Sequence, residues 1–139
     1  TLIDFRYGDN FAYRYDEKLK EFIHKIISVV SEILNADLTG DEELYYGLLN
    51  HIRPAIFRMR FEKHSTDTLT DFIKEEYKDT FRVSWALSIL FEEYYGINIS
   101  STELSYITLY IQAALERTYK LLKIALVTEL GMGLYSLPS

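Results

Sequence analysis

The chain has 139 residues, enough for one domain, and its 48% hydrophobic and 15% aromatic content supplies a core that a disordered chain would lack. It has no cysteine, which excludes disulfides, thiolate metal sites and cysteine nucleophiles. With a net charge of −6 and Lys and Arg scattered among more numerous Asp and Glu, the segment is not expected to contact DNA or RNA. No apolar run approaches the length of a membrane helix, so no membrane span is expected. The chain opens at Thr1 with no signal peptide and ends at Ser139, and is read as a piece of a longer protein.

The expected fold class is all-α, a bundle of five helices. Residues 1–15 read as a linker. From Asp16 to about Leu34, Leu19, Phe22, Ile23, Ile26, Ile27, Val30, Ile33 and Leu34 recur at the spacing of an amphipathic helix. Thr39-Gly40-Asp41-Glu42 reads as a capping box in which Thr39 accepts from the Glu42 amide. The second helix follows, with Leu44, Leu48, Ile52, Ala55, Ile56 and Met59 along one side. Pro54 removes the amide that would bond the Asn50 carbonyl, so a kink or break is expected near 50–54.

The polar run between Phe61 and Thr68 reads as a loop. Leu69, Phe72, Ile73 and Tyr77 mark a short third helix. A fourth is expected over about 81–95, carrying Trp85, Leu87, Leu90, Phe91 and Tyr94, with Gly96 then Ile97 as its C-terminal stop. Ser100-Ser101-Thr102-Glu103 forms a second capping box, which gives Glu103 a capping role. Leu104, Ile107, Ile111, Ala114 and Leu115 mark the fifth helix. Residues 122–127, Leu-Lys-Ile-Ala-Leu-Val, followed by Gly131-Met132-Gly133, read as a strand and glycine turn that would open an α/β domain.

Three histidines bound the acid–base and metal chemistry. His24 reads as a histidine at the core edge and His64 as a solvated loop residue. No pair has the i,i+4 spacing of a metal site, and there is no HExxH pattern and no nucleophile elbow. Neither a metal nor a cofactor is therefore expected. His51 lies at the margin of the second helix's apolar stripe, and Arg58 stands seven residues on, about 10 Å by helical rise. An arginine side chain leans toward its helix N-terminus, so its guanidinium can approach the turn that carries His51. A neutral imidazole is a competent nucleophile, and a phosphoryl group on it would find a bidentate donor. By spacing alone, a helix-surface His and Arg with no special role is the preferred reading.

The stretch Leu48-Leu49-Asn50-His51-Ile52-Arg53-Pro54-Ala55-Ile56-Phe57-Arg58 resembles the phosphohistidine motif of PTS regulation domains. Phe72-Ile73-Lys74-Glu75-Glu76-Tyr77 with Phe81 is similar to that family's third-helix segment. Gly96-Ile97-Asn98-Ile99 with Glu103-Leu104-Ser105-Tyr106-Ile107-Thr108-Leu109 is similar to its last helix. The resemblance implies a regulatory domain over 16–120 of a cytoplasmic, sugar-responsive transcriptional regulator. It implies phosphorylation of His51 by the histidine phosphocarrier protein or by enzyme II components of the phosphotransferase system, with Arg58 as the phosphate's partner. It also implies a homodimer that is not itself an enzyme.

Two family features are absent. The second phosphorylatable histidine is replaced by Tyr110, and the loop before the third helix has Thr66-Asp67-Thr68 where Asn-Pro is usual. The tail, 121–139, is similar to a linker and the first strand and loop of an enzyme IIB-like domain, with Thr128 where that domain's cysteine would stand. That likeness favours a DNA-binding activator of the mannitol-operon type as the parent. An RNA-binding antiterminator, or a helical dimerisation module whose phosphorylation site is no longer used, are the alternatives.

Overall fold

The computed structural model describes the backbone of residues 2–61 and 68–131 and the side chains of 12–61 and 69–131. Among these residues the fold is all helical, in the order α1 (Leu2–Leu34), α2 (Glu42–Phe61), α3 (Thr68–Glu76), α4 (Lys78–Ala86), α5 (Ser88–Tyr95) and α6 (Ser101–Glu129). α6 packs against α2, α3 and α4, while α1 lies across α2 and α4. The apolar stripe read from the sequence is what α1 buries. Leu19, Phe22, Ile23, Ile26, Ile27 and Val30 are all in the core, and Ile33 is exposed. Phe22 anchors an aromatic cluster with Phe91, Tyr94 and Tyr95, at centroid distances of 4.8, 5.0 and 5.1 Å.

The expected fourth helix is two short ones, α4 and α5, joined at Leu87. The Leu87 amide bonds the Ser84 carbonyl and its own carbonyl accepts from Leu90, both across three residues instead of four. This tightening turns the chain while keeping Leu87 fully buried. α4 turns Trp85 to the surface, and α3 turns Leu69 and Phe72 outward while burying Ile73, so those three large side chains are not the core residues the spacing suggests. The stop at Gly96 forms as expected. Gly96 has φ +62°, its amide bonds the Glu92 carbonyl, the Ile97 amide bonds the Phe91 carbonyl, and Ile97 is buried. α2 runs through Pro54 without a break, because its apolar face, Leu48, Leu49, Ile52, Ala55 and Ile56, stays packed on both sides of the proline.

Both ends of the chain differ from the sequence reading. Residues 1–15, read as a linker, are helical from Leu2 onward. Residues 122–127 are not a strand: α6 continues to Glu129, with the Thr128 hydroxyl donating to the Ile124 carbonyl inside the helix. At the C-terminal end the cause is propagation. Once a packed amphipathic segment supplies the nucleus, each further residue adds a hydrogen bond at little cost until a breaker intervenes. No glycine or proline lies between Leu104 and Leu130, and Gly131 at φ +70° ends the run. The expected boundary at 120/121 therefore falls inside one helix. Met132 and Gly133 of the turn, and His64, Thr66 and Asp67 of the loop, lie outside the described residues.

Candidate functional site

The start of α6 decides what stands opposite His51. Ser100 is the N-cap of α6, its hydroxyl accepting from the Glu103 amide at 3.2 Å, as the capping box predicts. The Glu103 carboxylate does not complete that box. It crosses to α2, where Oε2 lies 3.0 Å from His51 Nε2 and Oε1 accepts from Arg58 Nε at 3.3 Å and Nη2 at 3.1 Å. Arg58 Nη2 also reaches Oε2 at 3.3 Å. The two residues that the seven-residue spacing singles out therefore meet on one carboxylate, and Glu103 is the third member that local spacing could not reveal.

Burial decides how strongly the three are coupled. The side chain of Glu103 is 7% exposed, that of His51 19% and that of Arg58 35%. Burial alone would raise the Glu103 pKa. The hydrogen bonds from His51 and Arg58, and then the charge of Arg58, outweigh it and hold the carboxyl below its ordinary value of 4.5. A depressed carboxylate stabilises the fold above its unfolded pKa, and that contribution disappears as pH falls through the folded value. Thermal melting is therefore expected to weaken below about pH 4.5, and less steeply in Glu103→Gln than in the unaltered chain. Equal slopes in the two proteins would contradict it.

A second ion pair holds the same two helices farther along. Arg117 on α6 grips Asp41 through Nε to Oδ2 and Nη2 to Oδ1, both 3.0 Å. Asp41 also caps α2, accepting from the Leu44 amide at 3.0 Å. Asp41 is therefore the cap, in place of Thr39, whose amide and hydroxyl both turn to Asp37. An aspartate one residue before the helix reaches the free amides more directly than a threonine three residues before it.

Tyr106, Leu109, Tyr110 and Ala113 of α6 line a hollow of about 330 Å³ together with His51. The rings of Tyr106 and Tyr110 lie 5.5 and 5.7 Å from that of His51. Tyr110 is accommodated by Gly47, one turn before His51. A Cβ there would meet Tyr110 Cδ1 and Cε1 at 2.8 Å. Gly47→Ala should therefore cost about 1–2 kcal/mol despite alanine's better helix propensity. In a Tyr110→Ala background the same change should stabilise by up to about 1 kcal/mol. A double-mutant cycle by chemical denaturation checks this, and a coupling near zero would refute the packing argument.

The other sequence candidates lie apart from this site. His24 is exposed, its ring stacked on Tyr45 at 4.7 Å, and Thr128 is near the far end of α6. No cluster of potential metal ligands occurs among the described residues. No helix among them is long and apolar enough to cross a membrane.

Comparison with known proteins gives one consistent answer. The family model described as "PRD domain" matches residues 24–114, which contain His51, Arg58, Glu103 and Tyr110. The "Probable licABCH operon regulator" of Bacillus subtilis is 30% identical over 106 residues, 76% of this chain and 16% of that protein. The "Transcriptional regulator ManR" of the same organism is 26% identical over 125 residues, 86% of this chain and 19% of that protein. "Protein GlcT" of Staphylococcus aureus is 28% identical over 101 residues, 68% of this chain and 36% of that protein. The chain thus spans between about a sixth and about a third of the length of these relatives. No solved structure matches it at a significant level.

Proposed function

The chain belongs to the PRD domain family, and from that premise we propose that it is the sensor of a sugar-responsive transcriptional regulator, phosphorylated on His51 by the phosphotransferase system. One observation carries the reading: a half-buried imidazole between α2 and α6, held by a buried carboxylate, with a guanidinium two turns along the same helix. In this reading the phosphoryl donor is the histidine phosphocarrier protein or an enzyme II component, both cytoplasmic. The chain is their substrate and no enzyme itself. Segment 16–120 is the regulatory unit, and nucleic acid is bound by other parts of the parent protein.

Arg58 is the proposed phosphate partner. Its Nε and Nη2 are committed to Glu103, while Nη1 has no bond to another described residue and is available to a phosphate oxygen. The added charge of about −1.5 to −2 and its acceptor oxygens would bear directly on the α2–α6 contact, so phosphorylation can bias how these helices pack or associate. We also propose a homodimer. α2 exposes Tyr46, Phe57 and Phe61, and the end of α6 exposes Tyr119, Leu121, Leu122 and Leu126, more apolar surface than isolated side chains would leave. Sedimentation is expected to show a dimer at micromolar concentration, and a monomer throughout would refute it.

The preference for a DNA-binding activator as parent rested on a strand and glycine turn after residue 121. Residues 122–127 are helical and do not support that strand, and an RNA-binding antiterminator fits the domain equally well. The test of the sensor reading is labelling. Phosphoenolpyruvate, enzyme I and the phosphocarrier should place an acid-labile phosphate on the chain, and a chain that takes no label from carrier or enzyme II donors defeats it.

A further inference from the structure

The way Glu103 holds the His51 ring bears on which nitrogen reacts, and this rests on the sensor reading above. We propose that Glu103 fixes His51 in the tautomer with its proton on Nε2, so that Nδ1 is the nitrogen that takes the phosphoryl group. An ionised carboxylate can only accept a hydrogen bond, so the 3.0 Å contact between Oε2 and Nε2 requires the proton on Nε2. Arg58 donates three bonds to the same carboxylate and keeps it ionised despite its burial, so Glu103 is an acceptor in the resting state. Among the described residues the hydrogen bond to the ring is the one at Nε2, which leaves the Nδ1 lone pair free. The hollow that His51 shares with Tyr106, Leu109, Tyr110 and Ala113 gives room beside the ring for an incoming group.

The transfer then balances without a further base. The Nδ1 lone pair forms the new P–N bond while the P–N bond of a phosphohistidine donor breaks, its electron pair staying on the donor nitrogen. Nε2 keeps its proton throughout. The His51 ring becomes an imidazolium as the phosphoryl group arrives, and its positive charge develops against the Glu103 carboxylate already in place. Glu103 is a positioning residue: it touches neither donor nor phosphorus and acts by orienting the ring and stabilising its charge.

Two measurements on the full chain test this. Long-range proton–nitrogen NMR of the unphosphorylated protein, with the ring neutral, should show Nε2 protonated and Nδ1 bare. After phosphorylation with phosphoenolpyruvate, enzyme I and phosphocarrier, phosphorus NMR should place the group on Nδ1. Glu103→Gln keeps the side chain's volume, and its amide can face the ring with either its oxygen or its NH2. That variant should show mixed tautomers and a phosphorylation rate lower by roughly tenfold or more, with a fold verified by thermal melting. A merely structural glutamate would leave tautomer and isomer unchanged. A proton on Nδ1, phosphate on Nε2, or a Glu103→Gln chain with the wild-type tautomer and rate would each overturn the proposal while leaving the sensor reading intact. Failure of the wild-type chain to label at all would overturn both.

Discussion

Arg58→Ala is expected to cost about 2–3 kcal/mol of folding stability, lowering the melting temperature by about 10 °C. A surface arginine seldom matters that much, and from the sequence this one reads as a surface residue whose loss would affect only the phosphate. The structure changes the expectation because of what Arg58 leaves behind. Glu103 is buried in the first turn of α6, and three of its hydrogen bonds come from that guanidinium. Removing the guanidinium leaves a desolvated carboxylate with His51 alone. The usual penalty for orphaning a buried charge is about 3–5 kcal/mol, reduced here because Arg58 is itself partly open to water. A second substitution separates this cause from lost packing. Adding Glu103→Gln removes the orphaned charge and should recover most of the loss, so the double variant should melt above Arg58→Ala. If Arg58→Ala melts like the unaltered chain, or the double variant melts lower still, the buried-charge argument is wrong.

Much of this fold could be read from single residues, and the failures have identifiable causes. The stripe from Leu19 to Val30 was legible because burial repeats with the helical period. Gly96 was legible because a left-handed terminus followed by a buried apolar residue leaves a local signature. The joint at Leu87 was not, since leucine is a good helix former and the turn there is set by α4 and α5 packing on other elements. The helix end at Glu129 was missed because helix propagation leaves no side-chain pattern of its own. Residues 122–127 show the ambiguity of a short apolar run, which suits a strand or a helix until its neighbours decide. In the site, His51 and Arg58 share one helix and their spacing carries the information. Glu103 lies 52 residues from His51 in sequence, and the capping-box pattern that it fits offered a sufficient local explanation for it. A buried acid in a first turn whose carboxylate points away from its own helix is a tertiary fact.

His51→Ala is expected to abolish acid-labile phosphorylation completely, the largest functional effect of any single change in this chain. His24 lacks the carboxylate contact on which the proposed role of His51 rests. His24 stacks on Tyr45 at the surface of α1, with no carboxylate or guanidinium partner among the described residues. His24→Ala and His64→Ala should therefore label as the unaltered chain does. Tyr110 cannot substitute, because a phenol would give an acid-stable phosphate ester where histidine gives an acid-labile one. The substitution is also a clean one. His51 is neither fully buried nor part of the apolar core, and its removal leaves Glu103 still bonded three times by Arg58. Stability should fall by no more than about 1–2 kcal/mol, the cost of one lost charge-assisted bond, so a folded and unlabelled protein is the expected observation. Labelling is read as counts lost on mild acid treatment, with circular dichroism confirming the helices in each variant. Undiminished label in His51→Ala would move the phosphoryl group elsewhere. It would also leave the His51–Glu103–Arg58 cluster as a clasp between α2 and α6 and nothing more.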